Sequence, residues 1–154
     1  MTREPIKILL VDDEEDFVEM LSLRLEGVGE QVTPAYSGAQ CLQALEKRDV
    51  DVVILDVKMP GMDGIETLKA IKRAYPLVEV IMLTGHATVD SAVEGLKAGA
   101  TDYLMKPTDV EDLIQKAEEA FAKREVLEGK IRVARTRAMG KSPREILKET
   151  GAAE

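Results

Sequence analysis

At 154 residues and 45% apolar, the chain has the size of one domain with a little to spare. Its single cysteine, Cys41, excludes an intramolecular disulfide, and the N-terminus MTREPIK, with no long apolar stretch behind it, excludes a signal peptide or membrane span; a cytoplasmic protein is expected. From Lys123 onward nine Lys/Arg face five Glu, so a basic tail of +4 follows an acidic body of −12; such a body repels nucleic acid and the tail has no aromatic residue to stack on bases, so no direct nucleic-acid binding is expected.

Five short apolar runs alternate with helical patterns. Ile6–Val11 comes first, followed by a stripe of Phe17, Leu21, Leu25 and Val28 at steps of three and four. Gln31–Tyr36 is the second run, with Ser37-Gly38 before a weaker stripe of Leu42 and Leu45; Cys41 lies on that helix as an inert core thiol. Val52–Leu55 leads to Ile65, Leu68 and Ile71. Val80–Thr84 leads to Val89, Ala92, Val93 and Leu96, and Asp102–Met105 to Val110, Leu113, Ile114 and Ala117. Asp63, Thr88 and Asp109 stand at N-cap positions.

Strict alternation implies an α/β fold, a doubly wound five-stranded parallel sheet with helices on both faces. Pro34 lies inside the second run, and proline is tolerated mainly on an edge strand, which suits the order 2-1-3-4-5. In that order the first and third strands are neighbours, and ligands gather at their carboxyl ends.

Asp12-Asp13 and Asp56 then meet at one rim. Three carboxylates there suit a hard divalent cation such as Mg²⁺, which takes oxygen ligands and keeps several waters. Glu14, Glu15 and Asp16 form the first turn of a helix, where negative charge favours the dipole. Thr84-Gly85 ends the fourth strand with a hydroxyl, and Lys106-Pro107 ends the fifth with an ammonium suited to phosphoryl oxygens and a candidate cis peptide.

The segments "ILLVDDEE", "VVILDVKMPGMDGIETL", "VIMLTGHAT" and "GLKAGATDYLMKP" resemble the receiver domain of bacterial two-component response regulators, over about residues 4–122. The wording from Val80 to Pro107 is most similar to receivers that precede sigma-54-dependent activators. The resemblance implies a flavodoxin-like receiver fold. It implies that Asp56 accepts a phosphoryl group from a sensor histidine kinase or phosphotransfer protein. Asp13, Asp56 and the Lys58 backbone carbonyl would bind Mg²⁺ directly and Asp12 through water, with Mn²⁺ able to substitute. Thr84 and Lys106 would contact the phosphoryl oxygens, Tyr103 would turn inward on activation, and Lys58 and His86 would tune phosphoryl lifetime. The chain itself would be no enzyme beyond assisting its own phosphorylation and slow dephosphorylation. Its switched face would control a downstream protein partner or relay.

Two other classes remain open. A small hydrolase with an aspartyl-phosphate intermediate would share Asp, Thr and Lys, but it needs a second, acid/base aspartate shortly after the nucleophile, and Lys58 two residues beyond Asp56 disfavours it. A receiver-like scaffold that is never phosphorylated is the third. The organisation expected is a receiver over 1–122, a helical extension over 123–139 and a flexible tail over 140–154. Leu113, Ala117, Ala120, Arg124, Leu127, Ile131, Ala134 and Ala138 make a heptad seam, so a homodimer through the extended helix is expected, with Arg124 as a polar intruder in the seam. No room for an output domain is visible after the helix, so both a single-domain regulator and the receiver of a longer activator fit.

Overall fold

The computed structural model describes residues 4–85 and 87–138. The elements alternate without exception: β1 (Lys7–Val11), α1 (Glu15–Gly27), β2 (Gln31–Ala35), α2 (Gly38–Lys47), β3 (Val52–Leu55), α3 (Gly64–Ala74), β4 (Glu79–Thr84), α4 (Val89–Lys97), β5 (Asp102–Met105) and α5 (Val110–Ala138). The five strands form one parallel sheet in the order β2-β1-β3-β4-β5, as expected from the alternation and from Pro34, which lies on the edge strand β2 opposite Leu10.

Both faces of the sheet are covered, which is why the central strands read as continuous apolar runs. Leu9, Val11, Val53, Leu55, Val80 and Met82 point to the side of α2 and α3, where they pack on Cys41, Leu45, Leu68 and Ile71. Ile8, Leu10, Val52, Ile54, Ile81 and Leu83 point to the other side, against Val18, Leu21 and Leu25 of α1 and Leu113, Ala117 and Ala120 of α5. Burial pushes the Cys41 thiol up to about 12, so it stays protonated in the core. Ser37, Asp63 and Thr88 cap α2, α3 and α4 through their side chains, and Thr88 and Ser91 complete a reciprocal capping box.

Three sequence expectations need correction. Val28 falls beyond the end of α1 and is exposed; Val18 takes the inward place instead. The stripe on α4 does not face the core: Val89, Val93 and Leu96 are 80%, 44% and 50% exposed. The helix meets the sheet through Gly95, where a Cβ would stand 3.5 Å from the Tyr103 ring, 3.6 Å from Ile65 and 3.7 Å from Met82. That close approach turns the apolar stripe sideways to solvent.

Arg124 is not an intruder left in a seam. It is 15% exposed, and its guanidinium donates to Asp51 Oδ1 at 3.0 Å, to the Val50 carbonyl, and to Glu128 Oε1 at 2.9 Å. It fastens α5 to the loop before β3, and from there α5 continues unbroken to Ala138. We expect Arg124→Met to cost about 2 kcal/mol, because it deprives Asp51 and the Val50 carbonyl of a charged donor. Amide exchange over 124–138 should quicken in that variant more than in the body; equal protection would refute the role. The expected tail over 140–154 lies outside the described residues. Among the described residues, no helix is long and apolar enough to cross a membrane.

Candidate functional site

The rim forms because the sheet ladder runs one residue past the strands. Asp12 N–H donates to the Ala35 carbonyl at 3.1 Å and Asp56 N–H to the Val11 carbonyl at 3.0 Å, so the two aspartates sit side by side just beyond β1 and β3. Lys106 N–H donates to the Thr84 carbonyl at 2.9 Å, placing the lysine one step beyond β5 at the same end. The Lys106–Pro107 peptide is cis. Pro60, Gly61 (φ +78°) and Asp63 shape the loop between β3 and α3 beside Asp56; Gly61 adopts a left-handed conformation that a side chain disfavours.

Carboxylate oxygens of Asp12, Asp13 and Asp56 all lie within 4.8 Å of one another. Asp12 and Asp56 are buried, while Asp13 is exposed. In each buried carboxylate one oxygen is tied locally: Asp12 Oδ1 accepts from Glu14 N–H at 3.0 Å, and Asp56 Oδ1 from Val57 N–H at 2.8 Å. The other oxygen faces Lys106, with Nζ 2.5 Å from Asp12 Oδ2 and 4.0 Å from Asp56 Oδ2. Two carboxylates are therefore pre-aimed at one ammonium.

The charges are not balanced. Burial raises the pKa of Asp12, with the Asp56 charge adding to the rise and Lys106 opposing it. Burial alone would lower the pKa of Lys106. Its hydrogen bond to Asp12 and the attraction of Asp12, Asp56 and Glu14 outweigh that, and the net shift is upward. Four carboxylates, those of Asp12, Asp13, Glu14 and Asp56, thus gather around one ammonium, and the cluster carries a net negative charge. The donor set fits a hard divalent ion: three carboxylates converge, and the exposed Asp13 leaves an open side where ligand waters have room.

Thr84 is fully buried at the end of β4. Tyr103 is half-buried, packs against the α2–α3 side of the core, and its hydroxyl lies 2.7 Å from Ser91 Oγ in the first turn of α4. Lys58, two residues after Asp56, has an exposed side chain. His86 lies outside the described residues. The structure thus brings Asp12, Asp13, Asp56 and Lys106 into one cluster and sets Tyr103 apart on β5, with its hydroxyl against α4. Sequence reasoning missed two groups at Lys106. Glu14 turns its Oε1 to 3.4 Å from Nζ rather than serving only the helix dipole, and the Phe17 ring centroid lies 4.0 Å from Nζ. Nothing local signals either contact, since their partner is about 90 residues away.

The response regulator receiver domain family matches residues 8–118. The transcriptional regulatory protein ZraR of Escherichia coli O157:H7 is 40% identical over 146 residues, which is 93% of this chain and 33% of that protein. The DNA-binding transcriptional regulator NtrC of Escherichia coli (strain K12) is 38% identical over 115 residues, 75% of this chain and 24% of that protein. The chain therefore spans between a quarter and a third of the length of these curated relatives. Among solved structures, a receiver domain protein (CheY-like) from Methanospirillum hungatei JF-1 is 32% identical with a TM-score of 0.75, covering 79% of this chain and 98% of that one. NtrX from Brucella abortus, solved with ADP, is 30% identical with a TM-score of 0.79, covering 84% of this chain and 30% of that one. Sequence and backbone agree over the segment that carries the rim, and the chain belongs to the response regulator receiver domains of two-component signalling.

Proposed function

We propose that Asp56 is the phosphoacceptor of this receiver, taking its phosphoryl group from the phosphohistidine of a sensor histidine kinase or a phosphotransfer protein. The carrying observation is the Asp56 carboxylate: buried, held by Val57 N–H through one oxygen, and presenting the other to Lys106 at 4.0 Å. An Asp56 oxygen attacks phosphorus in line, an O–P bond forms, the P–N bond of the phosphohistidine breaks, and the departing imidazole keeps the electron pair. Held by Asp13, Asp56 and the Lys58 carbonyl, with Asp12 through water, Mg²⁺ would offset the negative charge that otherwise repels the incoming group, and Mn²⁺ could replace it. Lys106 orients the phosphoryl oxygens and Thr84 donates its hydroxyl to them. The work is positioning and charge neutralisation, which is most of what phosphoryl transfer asks of a protein.

The new group adds roughly −1.5 to −2 charge at the rim. Thr84 moves toward it and Tyr103 turns into the space left, releasing Ser91 and shifting α4. The surface that changes carries Val89, Val93, Leu96 and Met105, all exposed and apolar, which suits a protein partner or a second copy better than nucleic acid. Lys58 and His86 set how long the phosphoryl group survives. Residues 1–122 act as the receiver, and the α5 extension offers the seam that runs through Leu127 and Ile131 for self-association.

The test is labelling of the whole chain by a small phosphodonor with Mg²⁺. One phosphoryl group per chain is expected, and none in Asp56→Asn with unchanged circular dichroism. Label retained in that variant, or none in the parent, ends the proposal.

A further inference from the structure

We propose that Phe17 is a positioning residue for Lys106: with Glu14, the N-cap residue of α1 three positions earlier, its ring forms the seat that holds the ammonium over the acidic rim. The inference rests on the phosphoacceptor reading above. Lys106 Nζ lies 4.0 Å from the Phe17 ring centroid and 3.4 Å from Glu14 Oε1. Glu14 stands at the N-cap of α1 and Phe17 in its first turn, so the start of the helix presents a carboxylate and a ring face to the same ammonium.

Lys106 needs such support because of where the topology leaves it. It follows an edge strand, and β4 and β3 stand between β5 and β1. To grip Asp12, just beyond β1, its side chain leans inward across the carboxyl ends of the intervening strands. A lysine stem is flexible and its ammonium is strongly hydrated, so without support it would favour solvent. Instead the Lys106 side chain is only 13% exposed.

The ring also does something the carboxylates cannot. Asp12 and Glu14 hold the ammonium by the same N–H groups that a phosphoryl oxygen would need. The π face attracts the charge as a whole and leaves those donors free to turn. Nζ is about 1 Å too far from Asp56 Oδ2 for a charge-assisted hydrogen bond. A short swing across the ring face closes that gap while the ammonium stays out of bulk water. Phe17 packs against the α1–α5 side of the core, so the ring is anchored while the lysine moves.

The experiment compares the full chain with Phe17→Leu, which keeps apolar packing but loses the π face, and Phe17→Tyr, which keeps both. With acetyl phosphate and saturating Mg²⁺, Phe17→Leu should label about 3- to 10-fold more slowly, at an unchanged half-saturating Mg²⁺ concentration. Phe17→Tyr should label at close to the parent rate. Independently, the ¹H–¹⁵N signal of the Lys106 ammonium should be visible in the parent and in Phe17→Tyr and lost to solvent exchange in Phe17→Leu. That signal needs no phosphodonor. A parent that takes no label while the signal follows the ring would defeat the phosphoacceptor reading and leave the seat standing. A parent that labels, with Phe17→Leu equally fast or Phe17→Tyr equally slow, would defeat the seat alone.

Discussion

Mg²⁺ at about a hundred times its dissociation constant is expected to stabilise the chain by roughly 2.7 kcal/mol, and to raise its Tm by about 8 °C. Only the folded chain assembles the site, because Asp12 and Asp13 are joined to Asp56 by the β1–β3 pairing and by nothing in the unfolded chain. The sign follows from the titration shifts. A carboxylate whose folded pKa is raised, as burial raises that of Asp12, costs stability at every pH above that value, so the site is under electrostatic load at neutral pH. Lys106, whose folded pKa is raised above 10.5, contributes stability that is complete below that pH and lost as pH rises through the folded value. It relieves part of the load, and a divalent cation held by the same carboxylates would relieve more. Asp13→Asn should remove most of the Mg²⁺ shift while leaving the metal-free Tm unchanged or higher, since Asp13 is exposed and has no role in the core. A thermal melt with and without Mg²⁺ measures both. An equal shift in Asp13→Asn would show that the cation binds elsewhere.

Gly64→Ala is expected to destabilise the chain by about 3 kcal/mol, lowering Tm by about 10 °C. Gly64 opens α3, and its N–H donates to the Val57 carbonyl at 2.7 Å. A Cβ there would overlap the Asp56 carbonyl oxygen and stand 2.7 Å from Val57 Cα and 2.8 Å from the Asp56 carbonyl carbon. All three are backbone atoms, so no side-chain rotation relieves the clash. The helix must retreat or the backbone carrying Asp56 must shift. Labelling should therefore slow along with the loss of stability. Gly129→Ala is the matched contrast: nothing lies within 4 Å of its Cβ position inside α5, and alanine there should stabilise by up to about 1 kcal/mol. Equal melts for the parent and Gly64→Ala would mean the α3 start is looser than its packing indicates.

Much of this was legible in the residues. β1, β3 and β4 were visible because a strand covered on both faces reads as a nearly continuous apolar run, and that is a local property. Pro34, whose missing N–H disfavours a central position, put the second strand at an edge, which suited the order 2-1-3-4-5 expected of a doubly wound alternation. Once the order was set, Asp12, Asp56, Thr84 and Lys106 had to share an edge, because parallel strands all end on the same side of the sheet.

Other features were decided only by the packed chain. The apolar stripe on α4 looked like a core face, but Gly95 made the closer contact and the stripe went to solvent. Arg124 looked misplaced until Asp51 and the Val50 carbonyl came within its reach. Glu14 and Phe17 showed no sign of meeting a lysine on the opposite part of the sheet. Periodicity and turn chemistry act between residues a few positions apart and are written in order along the chain. Which group an individual long side chain finds depends on distances across the folded sheet, and these exist only when every element is in place.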